Sequence, residues 1–188
     1  MERLRGMDAA FLYMETHATP MHIAFIAVLD AAAVPGGLDR ERIRRHVARR
    51  SLRVEPFRRT LRASPLGLHH PRWVDTGPPD VDQHLDFRVV EDRSPHALER
   101  SVGTLLGEHL DRSRPLWHLT VLEGPDPDRP VLVLRVHHAT MDGVGGIEHL
   151  HALFDLAPEA DDPEPRDTAG ERDPGERGDC LLYTSRCV

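Results

Sequence analysis

Residues 132–143, LVLRVHHATMDG, carry two adjacent histidines to the end of an apolar run and follow them with Asp-Gly, the spacing HHxxxDG. A histidine delivered by a strand suits general-base chemistry, because imidazole ordinarily titrates near neutrality. Side chains alternate along an extended strand. Leu132, Leu134, Val136 and His138 therefore share one face, and Val131, Val133, Arg135 and His137 the other. His138 continues the wholly apolar face and is the candidate base, expected to emerge from a dry wall that keeps its imidazole neutral. His137 takes a supporting role. Asp142 is placed to pin the turn through an ion pair or to cap a following helix. Gly143 permits a backbone approach that a side chain would block. Taken alone, the motif fits equally a strand end with an ordinary Asp-Gly turn.

The elements around the motif are legible as a mixture of strands and helices. Residues 116–122 and 131–136, joined by a Pro-Asp-Pro turn, predict an antiparallel pair. Residues 147–156 predict a helix on the spacing of Ile147, Leu150, Leu153 and Phe154. Upstream, MHIAFIAVL at 21–29 is apolar on both faces and predicts a buried strand. Residues 38–54 predict an arginine-rich helix with a solvated face, with Ile43 and Val47 one turn apart. Short strands are expected at 72–75 and around Phe87, Val89 and Val90. Ser94-Pro95 predicts a helix start, serine as N-cap and proline at the first position. Leu98, Val102, Leu105, Leu106 and His109 then share a face. The class is an α/β, or α+β, layered sandwich. Trp117 is expected first of all in the core. Arg112 and Arg114 are expected at the surface.

All 24 basic residues are arginine, and the chain carries a formal charge of −7. The excess is concentrated in residues 157–179, with nine acids against three arginines and almost no apolar residues. That segment predicts an acidic disordered linker. Residues 1–156 are close to neutral and present no basic field for nucleic acid. No apolar run is long enough to span a membrane and no secretion-signal layout opens the chain, so a cytoplasmic location is expected. Reverse translation of CLLYTSRCV, residues 180–188, followed by a stop, yields two inverted copies of a transposase end sequence. This segment is expected to be a library adaptor rather than part of the fold. Both cysteines, Cys180 and Cys187, fall inside it, leaving no cysteine nucleophile or disulfide to consider. The 13 histidines include no HExxH, so a metal site is not expected.

Three blocks add a family resemblance: MDAAFLYMETHATPMHIAFIAVLD near the start, LDRSRPLWHLTVLEG at 110–124, and VLVLRVHHATMDGVGG. In this order and at these separations, over residues 4–156, the chain resembles the bacterial wax ester synthase/diacylglycerol acyltransferase family; residues 157–179 carry no signal of it. The resemblance implies a chloramphenicol-acetyltransferase-like fold of two domains, with residues 1–156 the first and the second missing. It implies His138 as general base, Asp142 as a structural residue paired with an arginine, and Gly143 as keeping space near a CoA channel. Trp117 is the candidate substrate contact. The implied reaction moves a fatty acyl group from acyl-CoA, a co-substrate rather than a permanently bound cofactor, to diacylglycerol or a long-chain alcohol. Peripheral contact with a membrane or lipid droplet would follow from such substrates. This stretch alone is expected to be inactive or nearly so. Two rival readings are a condensation-type or polyketide-associated acyltransferase using the same motif, and an inactive half-domain with a binding role.

Overall fold

The computed structural model describes residues 2–154 except Arg5, Leu66, Gly67, Pro95 and Asp142. The expectations for 157–179 and 180–188 lie outside the described residues.

A four-stranded sheet runs β2 (His22–Val28), β7 (Val131–His137), β6 (Trp117–Glu123), β5 (Leu85–Val89). The expected β6–β7 hairpin is present in antiparallel register, Trp117 opposite Val136. β2 is antiparallel to β7, with His22 opposite His137, and β5 is parallel to β6. A parallel neighbour requires a crossover, and α3 (Ala97–Gly107) lies in that connection. A smaller antiparallel sheet has the order β1 (Glu2–Arg3), β4 (Arg72–Asp75), β3 (Arg59–Arg62). The remaining helices are α1 (Gly6–Met14), α2 (Arg40–Ser51) and α4 (Gly143–Leu153).

The two faces of β7 separate as the alternation predicts. Leu132, Leu134 and Val136 join Trp117, Leu119 and Val121 of β6 in one core with Ile43 and Val47 of α2 and Leu153 of α4. Val131 and Val133 join Leu122 in a second core under Leu105 of α3. The sheet is thus sandwiched between helices, which is the expected layered α/β class. A third cluster packs Ala9 and Leu12 of α1 against Trp73, Leu116 and Ala139, beside the histidine pair.

Three local expectations are corrected. β2 is not buried: among the described residues it pairs only with β7 and ends the sheet order, with Ile23, Phe25, Ile26 and Val28 exposed. A strand apolar on both faces looks buried in sequence, whatever the sheet offers it. α3 starts at Ala97 with His96, in the left-handed region at φ 65°, as its N-cap. Ser94 is held elsewhere, its amide and hydroxyl both donating to Asp92 in a local turn. α4 begins at Gly143, four residues before the expected start.

Candidate active site

β7 delivers the two histidines into different surroundings. His137 ends the strand with 1 % of its surface exposed. Its Nδ1 accepts the Ala139 amide at 3.0 Å, and its backbone carbonyl accepts the Thr140 amide at 2.9 Å, so it organises the turn leading out of the strand. An Nδ1 that accepts leaves the proton of the neutral ring on Nε2. Burial, the dominant effect, lowers its pKa to about 4 against the opposing attraction of Glu15. His137 is therefore neutral at pH 7 and engaged in structure.

His138 is half-buried and free of those duties. Its ring stacks on Phe11 of α1, centroids 3.8 Å apart and planes 19° from parallel. Its amide donates to the Met21 carbonyl at 2.8 Å, extending the β2–β7 pairing one step beyond the strand. The sequence expectation set His138 against a dry wall; the structure places the stronger burial on His137.

Glu15 anchors this corner. Its carboxylate is 6 % exposed and accepts the Met21 amide at 3.1 Å and the Arg112 guanidinium at 2.6 and 3.0 Å. It also lies 3.6 Å from His137 Nε2. Burial pushes its carboxyl pKa up, but the Met21 amide and Arg112 outweigh that and hold it below the usual value. Arg112 donates as well to the Leu12 carbonyl at 2.7 Å. Arg112 lies at the surface, as expected, and its guanidinium serves there as a tether. Sequence reasoning missed Glu15. The faint signal was its place between an apolar segment and the Pro-Met-His that opens β2.

Four side-chain atoms near the end of β7 are buried without a hydrogen-bond partner: His22 Nδ1, His137 Nε2, His138 Nδ1 and Thr140 Oγ1. Buried polar atoms are nearly always satisfied, so such a concentration marks a place where unpaired groups are tolerated. Alongside runs an apolar cavity of about 240 Å³, lined by Ile23, Phe25, Leu134, Val136, Met141 and Leu150 among others. Its wall includes Val136, two residues before His138.

Trp117 is 1 % exposed, stacked between Phe57 and His84 at 4.3 and 4.4 Å, with its indole N–H donating to the Phe57 carbonyl. Its geometry gives it the expected core-packing role, with both ring faces occupied. Asp142 lies outside the described residues. Gly143 is the first residue of α4. Among the described residues no group of three or more His, Cys, Asp and Glu is placed to hold a metal ion.

Residues 4–181 match the wax ester synthase/diacylglycerol acyltransferase catalytic domain. The chain belongs to this family. The match extends beyond residue 156 through the acidic segment, where the sequence blocks had given no signal. A relative from Mycobacterium tuberculosis strain H37Rv, named for diacylglycerol O-acyltransferase activity, is 39 % identical over 90 % of this chain and 34 % of its own length. A second from the same strain, similarly named, is 30 % identical over 92 % of this chain and 64 % of its own. The chain thus spans about a third of the length of the first of these relatives. Among solved structures, a wax ester synthase/diacylglycerol acyltransferase from Marinobacter aquaeolei VT8 superposes with a TM-score of 0.61 at 24 % identity, over 79 % of this chain and 36 % of that one. The first condensation domain of the calcium-dependent antibiotic synthetase gives 0.62 at 15 % identity, over 81 % and 36 %. Both share the acyltransferase fold seen here.

Proposed function

We propose that this chain contributes the general base and one alkyl-lined wall to an O-acyltransferase that moves a fatty acyl group from acyl-CoA to diacylglycerol or a long-chain alcohol. The observation that carries the reading is the division of labour in the histidine pair. His137 is buried and committed to the turn, while His138 follows by two residues Val136, which lines an apolar cavity, and among the described residues its ring stacks on Phe11. His138 accepts the alcohol proton as that oxygen attacks the thioester carbonyl. The tetrahedral intermediate collapses, the carbon–sulfur bond breaks, and the proton on His138 passes to the leaving thiolate. An ester and free CoA result, and the histidine is restored without a covalent enzyme intermediate. Asp142 and Gly143 would shape the turn and the CoA approach. The relatives' names favour this over carrier-protein donors. Water-insoluble alcohols would bring the enzyme to a membrane or lipid-inclusion surface; among the described residues no helix is long and apolar enough to cross a membrane.

The test places this sequence in the matching third of the Mycobacterium tuberculosis relative and follows thiol release from palmitoyl-CoA with diacylglycerol or hexadecanol. His138→Ala is expected to lower turnover by ~10²–10⁴, the usual worth of a general base. Unchanged turnover in that variant overturns the assignment.

A further inference from the structure

The cavity beside the histidine pair is the first of two chambers in series. A second, of about 480 Å³, is lined by Phe25, Ala27, Leu29, Ile43, Leu132 and Phe154 among others. Three elements order the two chambers in the same way. On β7, Val136 and Leu134 line the first and Leu132 the second. On β2, Ile23 lines the first and Ala27 the second. Along α4 and its exit, Gly146 and Leu150 line the first and Phe154 the second. Phe25 lines both. Its ring stands against Phe154, centroids 5.8 Å apart and planes 29° from parallel.

From this arrangement we infer that the Phe25–Phe154 pair is a chain-length determinant, dividing an alkyl slot that runs from the His138 end of β7 toward α2. The inference rests on the acyl-transfer reading and adds to it which residues measure the acyl chain. A short chain is contained in the first chamber. A long chain must displace the aromatic pair to reach the second, where Leu132, Ala27 and Ile43 offer apolar wall and Asp30, Arg42 and His46 a polar part. At about 3.3 Å per residue, the β2 row from Ile23 to Leu29 spans roughly 20 Å, the scale of a long-chain acyl group. Phe25 is well suited to move: it lies on the edge strand and is 38 % exposed, so no packed layer locks its ring. Gly146 sets the width of the first chamber. A methyl there would sit 3.5 Å from Met141 Sδ, ordinary contact, whereas a large side chain would fill the space.

The experiment measures binding of octanoyl-CoA and palmitoyl-CoA by calorimetry to this sequence set in the matching third of the Mycobacterium tuberculosis relative. Each methylene newly buried is worth about fourfold in affinity. Phe25→Ala is therefore expected to raise the palmitoyl-to-octanoyl affinity ratio at least about tenfold. Phe154→Ala, which opens the same gap from the other side, is expected to act alike, and Phe25→Trp to lower the ratio. Gly146→Phe is expected to weaken both ligands. If both bind and Gly146→Phe weakens both, but neither alanine variant changes the ratio, the aromatic pair is not a ruler, while the alkyl cavity stands. If neither ligand binds the unaltered chain, the alkyl reading of the cavity fails and the ruler with it.

Discussion

His137 and His138 are neighbours in sequence with opposite physical fates, and the difference can be tested by titration. Burial lowers His137 and His118 to about 4; burial is also the largest cause lowering His84 and His22. A histidine whose folded pKa lies below its unfolded value of about 6.5 favours the folded state only while neutral. Its contribution is complete above about 6.5 and drains as pH falls toward 4, since the unfolded chain takes up protons the folded one refuses. Urea melts are expected to show stability falling by a few kcal/mol between pH 7 and pH 4. His137→Phe, which cannot gain that proton, is expected to flatten part of the slope while losing about 1–3 kcal/mol at pH 7 for the orphaned Ala139 amide. A slope identical in the variant would mean that His137 is not the buried titrating group. The acidic sensitivity was not legible in the motif, because alternation assigns faces but says nothing of what closes over them.

At the scale of elements, Arg112 joins the C-terminal end of α1 to the segment entering β6. Its guanidinium bridges Glu15 and the Leu12 carbonyl. The tie then runs from Glu15 to the Met21 amide, and from the Met21 carbonyl to the His138 amide. Arg112→Ala is expected to cost about 2 kcal/mol, the scale of hydrogen bonds to a charged group, because it strands a nearly buried carboxylate. Arg112→Met with Glu15→Gln together is expected to recover part of the loss, as thermal melts of the single and double variants would show; no recovery would mean the two do not act as a pair. The β6–β7 hairpin, the short strand at 72–75 and α2 were legible because periodicity and turn residues agreed at each. α1 was not read as a helix: GMDAAFLYM is apolar around most of its circumference and has no clear polar stripe. The parallel placement of β5 was also hidden, since strand direction depends on which neighbour a segment meets. Of the site, the delivery of two histidines by the end of β7 was legible; Glu15 was not, because its contacts come from Met21, Arg112 and His137, far apart in sequence.

For the molecule as a whole, the exposed row on β2 is expected to promote self-association of this chain. An edge strand offers unpaired backbone groups, and here it also offers Ile26 at 47 % and Val28 at 56 % exposure. A charged residue on such an edge is a usual safeguard. Ile26→Lys is expected to lower light scattering at high protein concentration with the melting temperature held within a few degrees; unchanged scattering would locate the sticky surface elsewhere. The same strand bears on how the molecule is made. In chain order β2 comes first among the described strands of this sheet, yet its partner β7 comes last of them. Pairings so distant in sequence close slowly, because the loop entropy is spent before the contacts repay it. The Met21–His138 bond lies at the end of that pairing. Folding, then, brings His138, the proposed base, to its place only once the β2 segment has closed across more than a hundred residues onto its distant partner.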